Sequence, residues 1–365
     1  MAIYIFVFFL ALLFGQIKDK RLSLVLYLII LTILACRGEF VGIDTENYYN
    51  NRFSATDSKE SMSLEWLFLW VSEFIKDAGL SSRFCIYFLS CVTMSFLYAA
   101  SIRFKQNPSL VLFFFILLGY FTHSMNLARQ MAACSIMLYA YSFIINLEAD
   151  KRIIHKKCNY NDANSTVRFI GFTIIAASIH VSAFFFALVY FVNRLKFKLS
   201  ELSPLRLTLF LCLLFAIVQI LKEFILNQLF GALSLMSFYS ALGEETEMTS
   251  LSFWGFFYRS ISYIFSGWVF YKIRYRVGNS ALALFIISLL VKIILSAFYG
   301  NIYRMGLYLS IFDIIIFAKC YNIIKPKDKL IFLIGIMYYS IEYFNAHIGN
   351  IFGTNPYEFE MIEIF

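Results

Sequence analysis

Charge is what this sequence has least of. Only 15% of its 365 residues are Asp, Glu, Lys or Arg, while 61% are hydrophobic. Soluble domains carry about 25% charged and roughly 45–50% apolar residues. There is too little polar side chain here to clothe a water-facing surface, so lipid must cover much of it. The mean hydropathy of +0.73 agrees. No long polar stretch is present from which a second domain could be built. Residues 1–365 therefore read as a single integral membrane domain.

Other absences narrow the chemistry. The seven cysteines are scattered without a close CxxC pair, and most (Cys91, Cys134, Cys212) lie inside apolar runs. They read as inert buried thiols and not as a disulfide framework. The four histidines form no HExxH and no Cys/His cluster, so neither a metal nor any other cofactor is expected. The apolar residues 1–15 have no basic flank before them and no small-residue cleavage site after them; Lys18, Asp19, Lys20 and Arg21 follow. That pattern fits a first membrane helix better than a cleaved signal peptide.

The net charge of +8 sits in short loops between apolar runs. This is the positive-inside pattern, and it argues for membrane lipid and against nucleic acid as partner. Candidate spans fall near 1–16, 22–37, 84–101, 109–122, 129–147, 207–222, 252–271, 280–299, 302–319 and 329–345. Residues 64–78 carry Glu65, Glu73, Lys76 and two tryptophans, which suits an interfacial helix. Residues 167–192 hold His180 mid-run between Ser178 and Ser182, and read as one long span or as two half-helices meeting at His180. Placing all the basic loops in the cytoplasm closes only if this segment enters and leaves on one side. A re-entrant hairpin with His180 near its tip follows, with both termini outside. Such irregular backbone is tolerated only where it lines protein or a wet cavity.

On this map Asp44, Glu65, Arg129, His180, Arg259 and Arg304 collect toward the outer side. Charges in a membrane cost about 2.5–3.5 kcal/mol at the bilayer centre even on the lenient scale and are usually functional. Asn126-Leu-Ala-Arg129 and Asn301-Ile-Tyr-Arg304 share a pattern: an Asn suited to N-capping, then an Arg in the first turn. An Arg there opposes the helix dipole but adds a cation to exposed N–H groups, which makes an anion site suited to phosphate. The plainer reading is that these arginines snorkel to headgroups. Snorkelling cations favour the cytoplasmic side, however, and Arg259 lies deepest of the three. His180 reads either as a core histidine satisfied by Ser178 or Ser182, or as a general base. Asp44, in VGIDTENYYNNRF, lies in an outer loop whose amides and rings suit a sugar but also an ordinary interfacial belt. Asp313 and Lys319 look structural.

These residues in this order resemble a family. Gly42-Ile-Asp44-Thr45 followed by Tyr48-Tyr49 is similar to an outer-loop motif of the EpsG/Wzy polysaccharide polymerases, as is Glu65 heading the next helix. Asn126-Leu-Ala-Arg129-Gln130, Ala177-Ser-Ile-His180-Val-Ser182-Ala, Tyr303-Arg304 and Pro356-Tyr357 resemble further motifs of that family. The resemblance implies an all-α polytopic membrane protein, GT-C-like, with about 10–12 transmembrane helices including the hairpin. It also implies a metal-independent glycosyltransferase at the outer face of the bacterial inner membrane. This enzyme would join undecaprenyl-diphosphate-linked oligosaccharides into O-antigen or a related surface polysaccharide, with a chain-length regulator protein as a candidate partner. In that frame His180, or else a carboxylate (Asp44 or Glu65), takes the acceptor's proton, with His180 preferred as base, and Arg129 and Arg304 are the cations on the leaving diphosphate. Asp44, Glu65, Arg259 and Tyr303 hold substrate. The main rival is a transporter or flippase of lipid-linked glycans, against which no internal repeat is seen. A membrane acyltransferase would also use one His, but His180 maps outside. A scaffold leaves the outer arginines unexplained.

Overall fold

A backbone in lipid must satisfy its own N–H and C=O groups, and a helix does so within one segment. The computed structural model describes residues 2–15, 17–42, 45–49, 65–148, 163–194, 199–233, 253–295, 304–348 and 357. Among these residues there are helices and no strands. In chain order they are α1 (Ala2–Phe14), α2 (Lys20–Ala35), α3 (Thr45–Tyr49), α4 (Trp66–Asp77), α5 (Arg83–Arg103), α6 (Pro108–Leu117), α7 (Tyr120–Asn126), α8 (Ala128–Ile144) and α9 (Ala163–Ile179). A 3-10 helix (Val181–Arg194) follows α9. Then come α10 (Pro204–Leu233), α11 (Phe253–Ile273), α12 (Asn279–Leu295), α13 (Leu307–Ser310), α14 (Asp313–Ile323) and α15 (Lys329–Ile348). Local chemistry sets several starts. Asp19 caps α2 by accepting from the N–H groups of Arg21 and Leu22. Asn107 caps α6, with Pro108 at the first helical position, where a missing N–H costs nothing.

Burial divides the helices. Every residue of α6 is buried, and in α8 all but Arg129 and Tyr139 are. A helix covered on all sides belongs at the centre. Small residues Ala132, Ala133, Ser135 and Ala140 let α5 and α9 pack closely on α8, the two most extensive helix contacts in the fold. The outer helices invert the pattern of a soluble protein. On α10, Leu207, Leu211, Phe215 and Val218 face inward, while Leu205, Leu209, Leu213, Ile217 and Ile220 are exposed. Apolar residues on both faces fit lipid on one side and protein on the other. Where α10 crosses α11 a Cβ on Gly267 would stand 1.9 Å from the Thr208 hydroxyl, so glycine sets that approach.

By length and hydropathy, α5 and the first 18 residues of α10 (Pro204–Leu221) can each cross a membrane alone. Helices α6 and α7 make a third, bent by 67°. The expected straight run over 109–122 breaks at Gly119, whose φ is +83°. The described part of the expected span over 302–319 keeps helical backbone through Ile311 and Phe312 but tightens to a 3-10 turn there, between α13 and α14. There the Phe312 N–H bonds to the Leu309 carbonyl, and the Tyr308 carbonyl accepts from the Tyr141 hydroxyl at 3.0 Å instead. Helix α4 occupies the place expected for an interfacial helix. It buries Phe68, Ser72 and Ile75 and exposes Trp66, Trp70 and Phe74 beside Glu73 and Lys76.

The segment around His180 doubles back. Helix α9 ends at Ile179, the 3-10 helix starts at Val181, and the two pack on each other. Phe169 and Tyr190, about equally far from His180 along the chain, stack with centroids 6.2 Å apart. Fourteen residues of 3-10 helix are unusual, since such runs seldom exceed about 3–4 residues. The side-chain pattern accounts for it. Ala183, Val189 and Val192 are buried, with Phe186 half-buried between them: a stripe at a strict spacing of three, the period of a 3-10 helix.

A buried ionic contact holds α12 to α14. Asp313, 1% exposed, accepts from Lys292 Nζ at 2.5 Å and from the Ser288 hydroxyl at 2.7 Å. Asp313 lies in the first turn of α14 and Lys292 in the last turn of α12, so each charge also suits its helix dipole. The structural role expected for Asp313 holds, with Lys292 as its partner. Lys292→Met strands a buried carboxylate and is expected to lower unfolding stability by about 3 kcal/mol. The double variant Lys292→Met/Asp313→Leu should recover most of that loss. Denaturation in detergent, followed by circular dichroism, measures both.

Candidate active site

Glu65 stands at the N-cap position of α4, yet its side chain does not cap that helix. It reaches across to three other groups. Oε1 accepts from His180 Nδ1 at 2.7 Å and from the Val181 N–H at 3.0 Å, and Oε2 pairs with Arg129 Nη1 at 2.5 Å. The residue is 4% exposed. The carboxylate thus ties the head of α4 to the hairpin tip and to the first turn of α8. Its acidity follows from two opposed effects. Burial pushes the carboxyl pKa up. The hydrogen bond from His180, the charges of Arg129 and His180, and the Val181 N–H outweigh that, and hold it below its ordinary value. Glu65 is therefore ionised at neutral pH. With Oε1 as a fixed acceptor, the neutral imidazole carries its proton on Nδ1 and keeps the Nε2 lone pair available.

The two serines beside His180 do not serve it. Ser178 donates to the Ile175 carbonyl at 2.8 Å, within its own helix. Ser182 donates to the Tyr308 hydroxyl at 3.0 Å. Neither serine satisfies His180; a carboxylate 115 positions away does. The side chain of His180 keeps 27% of its surface exposed, enough to reach a substrate.

Arg129 is held from a second side by Phe68 of α4, with the guanidinium carbon 5.0 Å from the ring centroid. Tyr48 meets Phe68 edge-on at 6.2 Å. Next along α8, Gln130 donates from Nε2 to the Arg304 carbonyl at 2.7 Å, which brings the two expected arginine segments together. Asn126 does not cap α8 as expected. It ends α7, and Leu127 takes the N-cap position without a side-chain bond. The outer-loop motif is pinned at this same joint. Gly42 has φ +97°, and a Cβ there would lie 2.6 Å from the Met125 carbonyl. Thr45 donates to the Val41 carbonyl (2.7 Å) and the Met125 carbonyl (3.2 Å), and accepts from Arg37 Nε.

The structure thus gathers Glu65, His180 and Arg129, with the Arg304 backbone alongside. Arg259 lies exposed on α11, which packs chiefly on α10, α14 and α15, none of which carries a member of the trio. Asp44 and Tyr303 lie outside the described residues. Among the described residues no group of three His, Cys, Asp or Glu is placed to hold a metal ion. The sequence reading missed Ser182 and Tyr308 as partners and Glu65 as the partner of His180. The lone signal for the last was a Glu at a helix start with no capping partner of its own.

Helices apolar on their outer faces, around a buried carboxylate bound to an imidazole and a guanidinium, define a multi-pass helical membrane protein with a polar centre fit for proton transfer. The model of the EpsG family matches residues 20–359, and the chain belongs to the EpsG family. No curated protein and no solved structure matches it.

The depressed acidity of Glu65 sets a pH dependence. The folded pKa lies below the unfolded value near 4.5, so the stabilisation is complete above that value and is lost as pH falls through the folded pKa. Glu65→Gln should lower the thermal midpoint at pH 7, and the gap to wild type should narrow as pH drops below 4.5. Melting curves across that range test this.

Proposed function

We propose that the chain is a polymerase that joins undecaprenyl-diphosphate-linked oligosaccharide repeat units into O-antigen or a related surface polysaccharide. It works at the outer face of the bacterial inner membrane, through a GT-C-like arrangement of about 10–12 crossing helices with the His180 hairpin re-entrant. The observation that carries this reading is the contact of Glu65 with both His180 and Arg129, a base and a cation on one carboxylate.

In this reading the acceptor sugar hydroxyl gives its proton to Nε2 of His180, while Glu65 holds Nδ1–H and balances the imidazolium that forms. The acceptor oxygen bonds to the anomeric carbon of the donor chain as that carbon's bond to the diphosphate oxygen breaks. The diphosphate leaves with the electron pair. Arg129 and Arg304 stabilise its growing charge. Arg129 carries five N–H donors, so the bond to Glu65 orients the guanidinium without exhausting it. Asp44, Tyr303 and Arg259 contact the substrate, and a chain-length regulator protein is the partner. The charge work falls to arginines, without a metal.

Surface and lipid-linked glycans from cells lacking the gene, run beside cells carrying it, test the reading. A polymerase predicts a ladder that collapses to one repeat unit. Loss of all surface repeats with units trapped inside would mean a flippase, and an unchanged ladder would sink both. Within a working polymerase, His180→Ala and Glu65→Gln are each expected to slow chain growth by roughly 10²–10⁴-fold. Full polymer length in His180→Ala would end its assignment as base.

A further inference from the structure

The hairpin tip is held from two sides, and only one belongs to the site described so far. At one end Glu65 accepts hydrogen bonds from His180 Nδ1 and the Val181 N–H. At the other, the Ser182 hydroxyl donates to the phenol oxygen of Tyr308. A serine in a helix most easily bonds back to a carbonyl of its own chain three or four residues earlier, as Ser178 does here. Ser182 instead bonds to a side chain 126 positions away.

Tyr308 is built to receive that bond. It is fully buried, and its ring stacks on Phe186 of the 3-10 helix with centroids 4.8 Å apart. Its backbone carbonyl accepts from the Tyr141 hydroxyl of α8 at 3.0 Å, where the backbone tightens and the Phe312 N–H goes to the Leu309 carbonyl. The phenol is therefore fixed relative to α8, the helix that also carries Arg129. Its segment is tied to α8 again by the bond from Gln130 to the Arg304 carbonyl.

We propose that Tyr308, through Ser182, is a positioning residue that sets the first turn of the 3-10 helix and thereby aims His180 at the substrate relative to Arg129. This inference rests on the reading of His180 as general base. The tip needs such a support because a long 3-10 helix has poorer hydrogen-bond geometry than an α-helix. Glu65 fixes His180 and Val181, and Tyr308 adds a support at the next residue, Ser182. That further restricts the turn, and a reacting group displaced by about 1 Å costs on the order of 100-fold in rate.

The test uses the full chain, purified in lipid nanodiscs, extending an undecaprenyl-diphosphate-linked repeat unit. Tyr308→Phe removes one oxygen and keeps the ring on Phe186. Ser182→Ala removes the other end and is the second variant should the first fail to fold. Each is expected to lower kcat by about 10–100-fold with KM nearly unchanged, and the double variant to lose no more than either single one. The decisive comparison is in a His180→Ala background, where Tyr308→Phe should cost nothing further. A continued loss there would mean Tyr308 acts directly or only through stability, and would overturn the proposal. So would wild-type kcat in both single variants. A wild-type chain that extends no glycan would defeat the polymerase reading instead, which separates the two failures.

Discussion

A carboxylate taken out of water costs several kcal/mol unless its oxygens find donors, and removing one partner of such a group is strongly destabilising. Glu65 meets the condition with one donor from each of three places: an imidazole, a backbone N–H and a guanidinium. Those donors sit on the hairpin tip and on α8, while the carboxylate sits on α4. Three elements far apart in sequence are thereby required to meet at one point. The segment of Gly42 and Thr45 joins them because both dock on the Met125 carbonyl, three and four residues before Ala128 and Arg129. Loss of the Glu65 charge would leave a guanidinium and a helix start without their shared anion, so the polar centre and the local fold stand on the same contact.

Lipid explains why so much else is arranged around backbone satisfaction. Among the described residues the chain interrupts its helices between α6 and α7, between α7 and α8 and at His180, and tightens one between α13 and α14. Each break frees polar groups that the hydrocarbon region would penalise. At His180 the freed Val181 N–H goes to Glu65, and at α13–α14 the freed Tyr308 carbonyl goes to Tyr141. Broken helices are thus joined to one another through side chains, and the bonds that repair the backbone are those that position the candidate active groups.

Much of this was legible in the sequence, and the reason differs from part to part. Low charge and apolar runs are summed over many residues, so the helical membrane class was plain. Polar residues inside apolar runs stand out individually, which is how His180, Arg129 and Glu65 were found. The fold-back at His180 followed from loop charge alone, and the Phe169–Tyr190 stack agrees with it. Pairings were not legible. Glu65 and His180 are 115 residues apart, Ser182 and Tyr308 126; nothing local marks the second pair, and only the helix-start position of Glu65 hints at the first. Asn126 read as a cap because Asn is a good one, but a second helix ends there and absorbs it.

Arg129 shows how the two readings of an outer arginine are reconciled. As a first-turn cation it opposes the dipole of α8, and as a lone charge it would have to snorkel. Neither strain arises, because Glu65 neutralises one nitrogen and the face of Phe68 lies against the guanidinium. A cation already paired in the resting protein is less costly to bury than a lone one. The same balance raises what an incoming phosphate must offer: it has to add to a guanidinium that already holds a carboxylate, and so is favoured only if it binds the remaining N–H donors or gains charge. Under the proposed polymerase reading, a diphosphate that becomes more negative as its bond to sugar breaks would satisfy the second condition, and would bind more strongly at the transition state than before it. The carboxylate that steadies Arg129 would in this way bias it against the ground state and toward the leaving group.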